Sequence, residues 1–187
     1  MKNIELKILT KEIMIKNIDQ FINIERKTSE LLGVLKYGKA WGEKEFLYDV
    51  KDKWKYSICA VDQKKIIGYL IVSSYRNNIH GHRLAMNTAY EPMKKIFITK
   101  CLYSRLNTEA RQNGLDAMTA IVPQQNISTL KFYLREEWVQ LNNIEIDNFI
   151  LERGMDSHSL LPNLLEDNHP IKDEPSKSFV LKYFYKN

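Results

Sequence analysis

His80-Gly81-His82-Arg83-Leu84-Ala85-Met86-Asn87 and, further along, Asn126-Ile127-Ser128-Thr129-Leu130-Lys131-Phe132-Tyr133 are the most informative stretches of this chain. The first alternates as a strand does, which puts both imidazoles on one face, ~6.5–7 Å apart at two residues' rise. The second opens with an asparagine suited to cap a helix and carries a tyrosine two turns later. Two candidate bases and one candidate acid at the ends of neighbouring elements are what acyl transfer to an amine requires.

Outward from these stretches the pattern is that of one α/β domain over 1–187. Upstream, Tyr56 to Val61 and Ile66 to Ser74 read as strands joined through Asp62-Gln63-Lys64-Lys65. Before them, Trp41 to Val50 opens a short helix, and Ile13, Ile15, Ile18, Phe21, Ile22 and Ile24 form a broad helical face behind a strand from Ile4 to Thr10. Downstream of Pro92, the spacing of Ile98, Leu102, Leu106 and Ala110 predicts a long helix stopped at Asn113-Gly114. Met118 to Val122 is a short apolar strand, and Asn126 starts a helix to about Glu136. Trp138 to Glu152 reads as further strand, 154–177 as an irregular insertion, and Ser178 to Lys186 as a final aromatic strand.

The composition excludes several classes. With 187 residues, 44% hydrophobic and 27% charged, the chain can bury a core and is not of a disordered composition. Its longest apolar run, Ile66 to Val72, is far short of the ~20 residues that cross a bilayer, so no membrane partner is expected. The first residues lack an apolar leader core, and the two cysteines, Cys59 and Cys101, lie in apolar segments as reduced thiols do; both features point to the cytoplasm. The net charge of +5 is scattered, without the basic runs and interleaved aromatics that grip nucleic acid, and it would suit a polyanionic ligand. A histidine metal site would need a third ligand, and none lies nearby in sequence, so no metal is expected.

This element order, with the two quoted stretches, resembles the GNAT superfamily of acetyl-coenzyme-A-dependent N-acetyltransferases over 1–152 and the last strand. The resemblance implies a mixed, mostly antiparallel central sheet flanked by helices, with the insertion placed before the final strand. It also implies acetyl-CoA as acyl donor. The backbone of Leu84, Ala85 and Met86 would hold the pantetheine arm, with Asn126. The stretch Met93, Lys94, Lys95, Ile96, Phe97 and Ile98 would meet the pyrophosphate at a helix N-terminus. His-x-His-x-Leu-Ala is similar to the arylalkylamine N-acetyltransferases, which implies His80 and His82 as bases and Tyr133 as the acid. Trp41-Gly42-Glu43 is similar instead to ribosomal-protein N-terminal acetyltransferases, whose fifth-strand glutamate is replaced here by Ile121. Where the family has a glycine-bearing pyrophosphate loop, this chain has Pro92-Met93-Lys94-Lys95-Ile96-Phe97, and side chains there are expected to crowd an anion.

The chemistry fits the residue types. An alkylammonium loses its proton only near pH ~10, whereas a histidine of ordinary pKa ~6.5 is mostly neutral in cytoplasm and can accept that proton. Gly81 between the histidines is expected to leave the opposite face bare. Glu45 and Asp49 are alternative carboxylates, and His158 and His169 fall in the insertion. The expected partner is a small-molecule primary amine. Transfer to a protein N-terminus or lysine stays open, as does a GNAT-like binding module without catalysis. The insertion would border the acceptor mouth as a lid or a homodimer contact.

Overall fold

Strand β1 (Glu5–Ile8) ends two residues before Thr10, whose hydroxyl caps helix α1 (Lys11–Lys16) by accepting from the Ile13 N–H. The continuous helical face expected here is broken at Asn17, whose side-chain amide donates to the Ile13 carbonyl. Helix α2 (Ile18–Leu32) then starts afresh. Helices α3 (Glu43–Leu47) and α4 (Lys53–Tyr56) follow, the second absent from the sequence reading because four residues show no period. Next come β2 (Ile58–Asp62), β3 (Lys65–Tyr75) and β4 (Asn78–Met86). The β2–β3 link turns on Gln63 and Lys64, both at positive φ, so the hairpin forms without glycine. Helix α5 (Pro92–Gln112), strand β5 (Ala117–Pro123), helix α6 (Ile127–Arg135) and strands β6 (Val139–Gln140) and β7 (Ser178–Phe184) complete the order.

This computed structural model describes residues 4–32, 40–123, 126–142, 145, 148 and 178–185. The 154–177 insertion, with His158 and His169, lies outside them. Strand was expected from Trp138 to Glu152; among the described residues of that stretch Val139 and Gln140 pair with β7, and Glu145 and Asn148 are helical. The cause is a capping box: the Asn142 side chain accepts from the Glu145 N–H, and the Glu145 carboxylate accepts from the Asn142 N–H. Among the described residues no helix is long and apolar enough to cross a membrane.

The strands form one seven-stranded sheet in the order β1-β2-β3-β4-β5-β7-β6. Only the β4–β5 pair is parallel. Alternation sends Leu70, Val72, Ile79 and Met86 to one face, where they pack on Ile98, Leu102, Leu106 and Ala110 of α5 and on Tyr133 of α6. Cys59, Tyr69, Ile71 and Ala85 go to the other, against Met14, Phe21, Ile24 and Phe46 of α1–α3. The β4–β5 pairing runs from Asn78↔Ala117 to Gly81↔Ala120 and stops, so the sheet opens into a split beyond Gly81.

Candidate active site

A β-bulge shapes the strand at that opening. Ile71 faces Arg83 but Val72 faces Gly81, which makes His82 the extra residue in β4. The bulge swings His82 towards His80, and the two ring centroids come within 4.8 Å at an interplanar angle of 82°. The wider separation expected from a regular strand does not occur. Nor is the face opposite the histidines bare: a β-carbon on Gly81 would lie 2.8 Å from the Met118 methyl, so Met118 fills that space.

The split holds a cavity of about 150 Å³, lined among others by Thr28, His82, Arg83, Leu84, Ile121, Asn126, Thr129 and Tyr133. Its walls come from both faces of the sheet, α2 on one side and α5 and α6 on the other. Of the two candidate bases, only His82 lines it. His80 is buried behind, its Nδ1 2.9 Å from Thr119 Oγ1. The Nε2 of His82 lies 2.7 Å from Ser73 Oγ on the adjoining strand. A larger groove of about 910 Å³ runs along the C-terminal half of α5, away from the histidines, with Lys100 ion-paired to Glu136 on its wall.

Tyr133 reaches the slot from the face opposite the histidines. Its position follows from local chemistry: Asn126 accepts from the Thr129 N–H and starts α6, so the fixed helical rise brings Tyr133 inward. The Tyr133 and Tyr103 hydroxyls lie 2.5 Å apart. Burial pushes Tyr133 up to about 12, the bond from Tyr103 pulling the other way, so its hydroxyl keeps its proton at neutral pH. Tyr103 is held well above its ordinary value by burial and by Tyr133 beside it. Sequence reasoning missed Tyr103, although its position one residue after Leu102, on the buried stripe of α5, was legible.

It also missed a densely bonded cluster around Glu25. Glu25 of α2 is fully buried, and its carboxylate accepts from Tyr69 Oη at 2.8 Å, the Trp41 N–H at 3.3 Å, Ser29 Oγ at 3.3 Å and both Nε and Nη2 of Arg83. Burial works against the Arg83 charge, but Glu25 more than offsets it and the guanidinium stays protonated. Tyr69 is raised far above its usual range by burial and the neighbouring carboxylate. Glu45 and Asp49, the alternative carboxylates, are engaged elsewhere. Glu45 accepts from the Gly42 N–H in the cap of α3, and Asp49 takes Lys11 and Trp54, whose bonds lower its pKa.

The groups expected to hold an acyl donor are backbone. The Asn87 N–H donates to the Ile67 carbonyl, so by ladder alternation the polar groups of Leu84 and Met86 point away from β3, into the split. Thr28 Oγ1 donates to the Met86 carbonyl at 3.3 Å. The segment expected as a loop is helix from Pro92 on, with no side-chain cap from Glu91, so the N–H groups of Met93 and Lys94 are open donors. Met93, Ile96 and Phe97 are exposed, turned to solvent where crowding was expected, while Ile98 is buried in the core. Lys94 is 3.6 Å from Asp62 and 3.8 Å from the Tyr90 ring, so its charge is partly committed; Lys95 sits half-buried in the first turn. An open strand edge leading to an open helix N-terminus fits a pantetheine arm followed by a diphosphate.

No family profile and no curated protein matches the chain. Solved structures do. The PaiA N-acetyltransferase of Thermoplasma acidophilum, in complex with coenzyme A, is 14% identical with a TM-score of 0.66, the match covering 98% of this chain and 100% of that one. The ribosomal-protein-S18-alanine N-acetyltransferase of Escherichia coli is 10% identical with a TM-score of 0.65, over 99% and 96%. An aminoglycoside 6'-acetyltransferase of type Ii is 13% identical with a TM-score of 0.61, over 98% of each chain. The fold is that of the GNAT N-acetyltransferases.

Proposed function

We propose that this chain is an acetyl-CoA-dependent N-acetyltransferase that acts on a small-molecule primary amine. One observation carries the reading: a slot through the sheet is lined by a histidine from one face and a protonated tyrosine from the other. Coenzyme A bound to a protein of this fold adds support for the donor. Bound acetyl-CoA would supply the thioester acyl group. Leu84, Ala85 and Met86 would hold its arm along β4, Asn126 would stand beside it, and Met93 and Lys94 would offer N–H groups at the start of α5.

His82 is the base, and His80 orients it from behind, itself fixed by Thr119. The acceptor nitrogen gives up two protons in all. One passes through His82 to solvent as nitrogen bonds to the acyl carbon. The other makes good the proton that Tyr133 gives the sulfur as the carbon–sulfur bond breaks. Tyr133 suits that step because its apolar surroundings keep the hydroxyl protonated until a strong base forms next to it. The absence of a carboxylate at Ile121 and the engagement of Glu45 leave histidine as the base among the described slot residues.

Purified protein with acetyl-CoA and a panel of primary amines should release free coenzyme A thiol and yield the acetylated amine. Peptide acceptors, run alongside, measure the protein-substrate alternative that Trp41-Gly42-Glu43 raises. Thiol release with peptides and with none of the amines would reject the small-molecule reading. Folded protein without release from either class would reject the enzyme.

A further inference from the structure

Arg83 follows His82 on β4 and lines the same slot. Its guanidinium is fixed rather than mobile. Nε and Nη2 go to Glu25, Nη2 also lies 3.3 Å from Ser29 Oγ, and the group sits 5.8 Å from the Trp41 ring. Among the described residues no hydrogen bond engages Nη1, and the side chain keeps 25% of its surface. Glu25 is fully buried and does not line the slot, whereas Arg83 does. Among the described residues lining the slot, Arg83 is the one side chain with a permanent charge, and none is a carboxylate. Among the described residues lining the slot a polycationic amine finds no carboxylate, and both oxygens of the nearby Glu25 are already taken.

Resting on the acyl-transfer function proposed above, we infer that the acceptor is an amine that also carries a carboxylate, an amino acid in the simplest case. Arg83 holds the carboxylate while His82 takes the ammonium proton. A guanidinium pre-ordered by Glu25 loses little freedom on binding, and its planar edge matches a carboxylate.

Titration of the intact protein with amino acids and with the amines left by their decarboxylation tests this without turnover. Phenylalanine against phenethylamine, leucine against isoamylamine and lysine against cadaverine are suitable pairs. In at least one pair the amino acid is expected to bind on the order of 10- to 100-fold more tightly, the worth of charge-assisted hydrogen bonds. Arg83→Met alone would strand Glu25, so the paired variant Glu25→Gln with Arg83→Met is used, its fold checked by circular dichroism. That variant should level each pair. Equal binding within every pair in the unaltered protein overturns the inference, as does a preference that survives the paired variant. An Arg83-dependent carboxylate preference without acetyl transfer to any acceptor would keep Arg83 as a carboxylate site and remove the enzyme function. Transfer without the preference would do the reverse.

Discussion

The two faces of the sheet meet at one slot but are built from opposite materials. On the α1–α3 face, charge is buried and paid for by bonds: Glu25, Arg83, Tyr69, Ser29 and the Trp41 N–H form one network beside the histidines. On the α5–α6 face the polar groups are neutral phenols, Tyr103 and Tyr133, set among Leu102, Leu106 and Trp138. On the proposed function this contrast lets one site both take and give a proton: the polar, fixed wall suits a charged acceptor and a base, and the apolar wall keeps Tyr133 protonated.

The largest expected effects fall on turnover. Tyr133→Phe removes the proposed acid and His82→Ala the proposed base, and each should lower kcat on the order of 10²–10⁴-fold with the fold intact. Steady-state kinetics on both variants check this, and an unchanged kcat in both would erase the contrast between the faces. His80→Ala should act less strongly than His82→Ala, since His80 does not line the slot.

Next comes the stability of the charged face. Glu25→Ala leaves the partly buried Arg83 guanidinium, the Tyr69 hydroxyl and the Trp41 N–H without their acceptor and should cost about 3–5 kcal/mol, read by urea unfolding. Tyr103→Phe, which leaves Tyr133 with one hydrogen bond fewer in the neutral face, should cost only about 1–2 kcal/mol. Equal losses would mean that the two faces do not differ in the way described.

Away from the slot, Lys53 is buried with Nζ on the carbonyls of Phe46 and Tyr48, both at 2.7 Å. Burial lowers its pKa to about 8, from an ordinary value of 10.5. Between those values the unfolded chain binds the extra proton, so the Lys53 contribution to stability rises with pH through that window and is at its least below pH 8. Tyr69, Tyr103 and Tyr133 act oppositely above their ordinary value, because their folded forms hold the proton longer. Unfolding measured for native protein and Lys53→Met across the window isolates the lysine, whose contribution should change by about 3 kcal/mol.

The smallest effect sharpens the role of Asn126. As a helix cap alone, Asn126→Ala should cost ~1 kcal/mol and leave the KM for acetyl-CoA unmoved. A raised KM would make it a donor contact as well.

Much of this was legible in sequence. The period of two in Ile79 to Met86, the spacing of four along α5, and the Asn126 cap are local signals, and the elements they specify formed. The bulge at His82 was not legible, because it arises from pairing with β3 and leaves no mark in β4 itself. For the same reason the sequence could not separate His80 from His82. The Glu25–Arg83 pair spans α2 and β4, and a lone glutamate on an amphipathic helix reads as solvated surface. Asn142-x-x-Glu145 was a visible capping box, overlooked beneath an apolar alternation that suggested strand.

Isothermal titration of the protein with acetyl-CoA, with desulfo-CoA as control, shows whether the split between β4 and β5 receives an acyl donor. The open edge of Leu84 to Met86 and the uncapped start of α5 predict saturable binding in the micromolar range for both ligands. No heat of binding at millimolar acetyl-CoA, from protein shown to be folded, would contradict it.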